Sequence, residues 1–364
     1  MTGGETPIRD PAALAARIGS WPAGEPVALD TEFVRERTYY PRLCLVQAAV
    51  GSDIVLLDAL AIPDGGALVP VLTDPARAKL VHAARQDIEA LLPLTGQPIA
   101  NVFDTQQAAA LLGFSSQAGY AELVRQVLGI ELAKGHARTD WARRPLTREQ
   151  LAYAADDVRY LPALAAELDR RLVAAGRRAW LDEEAAALDD PALYRVDPAV
   201  AWRRLKGLER LDGASFAAAC ALAEWRERRA MARDLPRGWI LTDAAILALA
   251  TARPRTREAL ARIAEVPAGT AARAADELLD LVAGAAAHAE SPPPGDSGRP
   301  GPDQLRLQKV LQGRLTGLAA ELGVQPEVLA TRRELAALAR GERDLPVMRG
   351  WRRGTVGEKL LAAL

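Results

Sequence analysis

Four carboxylates and a phenol stand in three separated patches of this chain: Asp30-Thr31-Glu32, Asp87, and Tyr153 with Asp157. Like charges a few ångströms apart repel, so a fold that gathers several carboxylates commonly gathers cations with them. The spacings suit one acidic, metal-holding pocket. An all-carboxylate set, with no histidine or cysteine companion, favours hard ions such as Mg2+ or Mn2+ over zinc. Taken singly, each patch has a bland reading. Asp-x-Glu at a strand end is commonly a solvated turn, an aspartate at a helix start is favoured by the helix dipole, and Tyr-x-x-x-Asp is a routine surface pair.

The elements around the patches decide whether they can meet. Val27-Ala28-Leu29-Asp30 is a short apolar run after Pro26 and reads as a buried strand. Residues two apart on a strand share a face, so Asp30 and Glu32 point the same way. Lys79–His82 reads as a second strand running into a helix that begins near Ala84, which puts Asp87 in the first turns of that helix. Thr147 followed three residues later by Gln150 is a capping-box signal. A helix beginning there carries Tyr153 and Asp157 at i and i+4 on one face, with Asp156 turned about 100° away.

The residues flanking all three patches resemble the ribonuclease D family of the DEDD exonuclease superfamily. The matching stretches are Val27-Ala-Leu-Asp-Thr-Glu-Phe-Val34 with Arg37-Thr-Tyr-Tyr-Pro41, Val81-His-Ala-Ala-Arg-Gln-Asp-Ile-Glu89, Val102-Phe-Asp-Thr-Gln106, and Arg138-Thr-Asp-Trp-Ala-Arg-Arg-Pro-Leu146 through Tyr153-Ala-Ala-Asp-Asp-Val158. They cover most of residues 25–165, in the family's order. The resemblance implies Asp30, Glu32, Asp87 and Asp157 as metal-binding carboxylates and Tyr153 as the auxiliary catalytic residue. The superfamily's other branch has a histidine five residues before the last aspartate. Ala152 stands there, which places the chain in the tyrosine branch. The implied reaction is phosphodiester hydrolysis with two divalent cations, Mg2+ or Mn2+, about 4 Å apart. Asp30 would bridge both ions, Glu32 and Asp157 would complete the water-activating site, Asp87 would hold the second ion, and Tyr153 would orient the attacking water. An unperturbed tyrosine pKa near 10 argues against Tyr153 as a general base.

The expected activity is a 3′-5′ exoribonuclease that releases nucleoside 5′-monophosphates from RNA, with tRNA precursors as the family-implied partner. A 3′-5′ DNA exonuclease is the alternative on the same domain. A non-catalytic nucleic-acid-binding scaffold is the alternative from another class, and the intact set of five residues argues against it.

At 364 residues the chain exceeds what one core usually organises. Its 49% hydrophobic and 26% charged content are ordinary for a globular protein. Two cysteines, Cys44 and Cys220, make neither a zinc motif nor a disulfide framework. No apolar run approaches the ~20 residues that span a bilayer, and residues 1–25 lack a leader pattern, so no membrane association and a cytoplasmic location are expected. The net charge of −1 hides an asymmetry: −6 over residues 1–195, +2 over 196–285 and +5 over 299–364. An acidic half suits a cation-loaded site and a basic tail suits phosphates; surface solvation is the bland reading.

The first domain, residues 1–172, reads as α/β, with strands at Val27–Asp30, Leu43–Val50, Ile54–Leu57, Lys79–His82 and Val102–Phe103. Helices are expected over Arg85–Leu92, Thr105–Leu112, Tyr120–Leu128 and Thr147–Leu172. A mixed sheet flanked by helices follows, compatible with the RNase H-like fold that the resemblance implies. A helical connector, 173–195, leads to consecutive helices over 196–285 with stops at Pro236, Pro254 and Pro267. Ala201–Gly207 and Trp225–Pro236 there resemble the helicase-and-RNase-D C-terminal (HRDC) domain. Residues 286–302 read as a Pro/Gly-rich linker. Residues 303–364 are again helical. Arg233-Asp-Leu-Pro236 with Arg237-Gly-Trp239 recurs as Arg343-Asp-Leu-Pro346 with Arg349-Gly-Trp351, which suggests a second, divergent HRDC-like module.

Weaker signals remain. His82 reads as a packed strand-end histidine and Asp104 as the cap of the following helix. Tyr39 and Tyr40 could stack on bases or lie at a strand edge. Lys134, Arg138, Arg143 and Arg144 could hold a substrate backbone or line a solvated loop, and Trp141 reads as core.

Overall fold

The computed structural model describes residues 6–133, 139–286 and 301–364. Lys134, Arg138 and nearly all of the Pro/Gly-rich stretch lie outside the described residues. The chain divides into two compact units. One takes the described residues through Val34, Leu43–Leu193 and those from 301 onward; the other takes Arg35–Arg42 and the described residues from Tyr194 to 286.

The first unit is built on a five-stranded sheet: β1 (Val27–Val34), β2 (Arg42–Val50), β3 (Asp53–Asp58), β4 (Lys79–Val81) and β5 (Val102–Asp104), in the order β3-β2-β1-β4-β5. β2 and β3 pair antiparallel, Leu45 facing Asp58 and Val50 facing Asp53. Gly51, at φ +60, supplies the left-handed residue that their two-residue turn needs. β4 runs parallel to both β1 and β5. β1 is central and buried on both faces, with Val27, Ala28 and Leu29 fully inaccessible, as an unbroken apolar run in a parallel pair requires.

Helices α1 (Pro11–Gly19), α2 (Leu68–Thr73) and α3 (Arg85–Thr95) form one group, with α3 against β1. On the Ala28 side, α4 (Thr105–Leu111), α5 (Tyr120–Leu123), α6 (Arg148–Arg159), α7 (Leu161–Ala174) and α8 (Arg178–Leu188) contribute to one apolar core with Leu45, Leu80 and Phe103. The single helix expected over Thr147–Leu172 is two. Tyr160 leaves the helix at φ −103, ψ −3, and Pro162 sits in the first turn of α7. A proline lacks the N–H that would continue the ladder and constrains the residues before it.

The last segment differs from the expectation of a module separate from the first domain's core. Leu311, Leu315, Leu318, Leu329, Leu335, Leu338 and Trp351 belong to the same apolar core as Leu164, Leu168, Leu172 and Leu181. Trp351 stacks on Trp180 with ring centroids 4.3 Å apart. Its backbone N–H donates to Glu183 at 2.7 Å and its indole N–H to Glu184 at 2.8 Å. Gly113, at φ +95, packs so closely on Gly323 that a Cβ would stand 2.3 Å from its carbonyl oxygen.

The second unit is helical. Its core lies along α9 (Gly213–Arg233) with the helices Asp243–Ala252 and 268–286. α9 ends at Asp234 in the left-handed region, Asp243–Ala252 stops before Pro254, and the last helix starts after Pro267. The Arg35–Arg42 stretch joins this unit through Tyr39, whose hydroxyl donates to the fully buried Glu227, and through the Tyr39 and Tyr40 N–H groups on Asp234. Tyr39 is therefore buried, whereas Tyr40 is 44% exposed.

Candidate active site

β1 turns Asp30 and Glu32 to the Ala28 face, which α6 covers. The rotation of α6 is set at its first turn. The Thr147 N–H donates to Gln150 Oε1 at 2.8 Å, and the Gln150 N–H donates back to Thr147 Oγ1 at 3.2 Å. Ala154, Ala155 and Val158 bury one side of the helix, leaving Tyr153 and Asp157 toward the strand carboxylates. One oxygen each from Asp30, Glu32 and Asp157 lies within 4.8 Å of the others.

Asp87 stands beside this trio rather than in it. It lies in the first turn of α3, where its charge meets the helix dipole, and its Oδ1 accepts the Thr31 hydroxyl at 2.5 Å. Thr31 falls between Asp30 and Glu32, so alternation sends it to the opposite face of β1. One strand thus presents two carboxylates on one face and anchors a third from the other. Sequence reading missed this use of Thr31; its position between two acids in an otherwise apolar strand was the available signal.

The electrostatics are those of crowded, buried anions. Burial, then the Asp157 charge, pushes Asp30 well above the usual carboxylate range. Glu32 is pushed up to about 9 by burial and by Asp30, Asp157 and Asp87. Burial and the Asp30 charge raise Asp87. Asp157 rises to about 7, burial outweighing the hydrogen bond from Tyr153. Tyr153 itself is raised by burial and by Asp157, Glu32 and Asp30, so its phenol keeps its proton at neutral pH. Asp157 Oδ2 is buried with no hydrogen-bond partner. An orphaned carboxylate oxygen inside a cluster of carboxylates with raised pKa values fits a cation, and all-oxygen donors fit a hard divalent one.

A second layer supports the tyrosine. The Trp141 ring, 2% exposed, lies 6.2 Å from that of Tyr153. Arg144 forks onto Asp58 at 2.7 and 3.0 Å and donates to the carbonyls of Trp141 and Cys44. Arg144 is thus committed to β2 and β3 instead of standing ready for a substrate backbone, while Arg143 is exposed. His82 Nδ1 lies 3.0 Å from Thr105 Oγ1 and Nε2 3.1 Å from the Ala118 carbonyl, the packed role expected of it.

Comparisons with known proteins identify the family and the fold. Residues 6–173 match a family model described as a 3′-5′ exonuclease, and residues 215–282 match the HRDC domain. A ribonuclease D of Gluconacetobacter diazotrophicus is 40% identical over 92% of this chain and 86% of its own length. One from Pseudomonas paraeruginosa is 38% identical over 98% and 96%. The crystal structure of Escherichia coli RNase D, described as an exoribonuclease involved in structured RNA processing, superposes with a TM-score of 0.87 at 30% identity, covering 99% of this chain and 97% of that one.

Proposed function

The chain belongs to the ribonuclease D family and is a 3′-5′ exoribonuclease, and we propose that Asp30, Glu32, Asp87 and Asp157 hold two divalent cations, Mg2+ or Mn2+, with Tyr153 as the fifth catalytic residue. The observation that carries this assignment is the trio of carboxylates within 4.8 Å, two raised to about 7 and about 9, with an unpartnered buried oxygen on Asp157. Bound cations would supply a hydroxide nucleophile at neutral pH and offset charge developing on the phosphate. Asp30, charge-coupled to Asp157, Glu32 and Asp87, is the carboxylate suited to serve both ions. Glu32 and Asp157 would complete the water-activating side, and Asp87, steadied by Thr31, would serve the other. The protonated Tyr153 hydroxyl, hydrogen-bonded to Asp157, orients the attacking water.

The substrate in this reading is the 3′ end of an RNA, a tRNA precursor in particular, and the products are nucleoside 5′-monophosphates. The similarity to an enzyme of structured RNA processing supports it. The reading also keeps an HRDC-like character for residues 303–364, packed on the first unit's core rather than standing apart, and a cytoplasmic location. Among the described residues no helix is long and apolar enough to cross a membrane.

The test incubates the protein with end-labelled RNA and DNA of one sequence, with chelator and with Mg2+ or Mn2+. Stepwise 3′ shortening of the RNA that stops with chelator and returns with metal is expected. Full turnover after chelation would overturn the cation assignment, and faster loss of the DNA would overturn the substrate.

A further inference from the structure

Asp104 was expected to cap the helix that follows it, and it does: Oδ1 accepts the N–H groups of Gln106 at 2.8 Å and Gln107 at 3.3 Å. The same carboxylate does more. Oδ1 also accepts the Ala83 N–H at 3.0 Å, and Oδ2 accepts the Ala84 N–H at 2.9 Å. Ala83 and Ala84 form the turn between β4 and α3, three residues before Asp87. Ala83 sits at φ +59, uncommon for a residue with a Cβ. Ala84 is the N-cap position of α3, which has no side-chain cap of its own. One carboxylate, 3% exposed, therefore ties the starts of α3 and α4 together through four hydrogen bonds to a charged acceptor, each stronger than a neutral one.

We propose that Asp104 is a positioning residue of the active site: it holds the left-handed turn that delivers Asp87. The proposal rests on Asp87 serving the cation site. Thr31 fixes the Asp87 carboxylate from β1, and Asp104 fixes the backbone beneath it. Loss of a group that orients a metal ligand typically costs 10–100-fold in metal affinity or activity.

Asp104→Ser separates positioning from simple capping. Serine is as good an N-cap as aspartate, so the start of α4 survives, but its short hydroxyl does not reach Ala83 and Ala84. Asp104→Asn is the isosteric second variant; it keeps one acceptor oxygen and sets an amide against the Ala84 N–H. Mn2+ binding is measured by calorimetry on full-length protein with no RNA present, beside hydrogen exchange of the Ala83 and Ala84 amides. Expected are protected amides in the parent protein, and roughly tenfold weaker Mn2+ binding in both variants, with faster exchange at both positions in Asp104→Ser and at Ala84 in Asp104→Asn. A folded Asp104→Ser or Asp104→Asn protein with parental Mn2+ affinity would overturn the proposal, even if its melting temperature fell. So would rapid exchange of the two amides in the parent protein, which needs no variant to fold. Asp87→Asn is the reference arm. If it leaves Mn2+ binding intact, the assignment of Asp87 fails; if it weakens binding while the Asp104 variants do not, only the positioning role fails.

Discussion

Asp30 carries the largest consequence of any single side chain, because it lies where the charges of Asp157, Glu32 and Asp87 converge. Asp30→Ala should abolish turnover, and the metal-free variant should melt higher than the parent, since a buried like-charge repulsion is removed. A parental rate would show that the centre lies elsewhere. The raised carboxylates also set a pH dependence. Between the ordinary carboxylate pKa, near 4.5, and the folded values of about 7 for Asp157 and about 9 for Glu32, the folded metal-free protein binds more protons than the unfolded chain. Stability must then fall as pH rises through that window. Denaturant titrations at about pH 5, 7 and 9 should show this decline without metal and a much flatter profile with saturating Mn2+; a metal-free profile that rises would contradict the burial of these groups. Tyr153→Phe keeps the ring beside Trp141 and loses only the hydroxyl. A kcat loss on the order of 10²-fold at nearly constant KM is expected, and a raised KM at parental kcat would reassign Tyr153 to RNA binding.

Individual elements were legible to the extent that their signals are local. The capping box at Thr147 and Gln150 and the shared face of Asp30 and Glu32 on β1 depend on residues within a few positions, and both are present as read. Thr147→Ala should therefore cost about 1 kcal/mol, read as a lower melting midpoint; an unchanged midpoint would mean that packing of Ala154, Ala155 and Val158 alone holds α6. Other features were hidden for physical reasons. The division of Thr147–Leu172 at Tyr160 turned on Pro162, which apolar periodicity masks. The uses of Thr31, Asp104 and Arg144 depend on partners 56, 21 and 86 positions away along the chain. A side chain's type states what it can bond, and only the fold supplies the partner.

At the scale of the molecule, the basic end of the chain reads in sequence as a second HRDC-like module suited to phosphates, and Leu311, Leu318, Leu338 and Trp351 pack it into the first unit's core. Burying each such side chain is worth roughly 1.5–3 kcal/mol, and a whole domain has only about 5–15 kcal/mol of stability. A chain ending near Ala285 should therefore unfold or aggregate, and its RNA affinity would report on folding instead of on charge. The electrostatic role needs changes that spare the core. Lys309, Arg332 and Lys359 are exposed and lie in the segment that carries +5. Reversing all three to Glu should leave the melting temperature and the hydrolysis of short single-stranded RNA close to parental, since every proposed catalytic residue precedes residue 160. Affinity for a structured, tRNA-like RNA should fall, with a shallower dependence on salt, because every phosphate that the protein no longer neutralises takes close to one released counterion out of the log–log slope. The difference from the parent should shrink at saturating RNA, where binding no longer limits the rate. A triple variant with parental affinity and salt slope would show that this segment serves the first unit's core alone, and that the RNA is held by surfaces elsewhere on the chain.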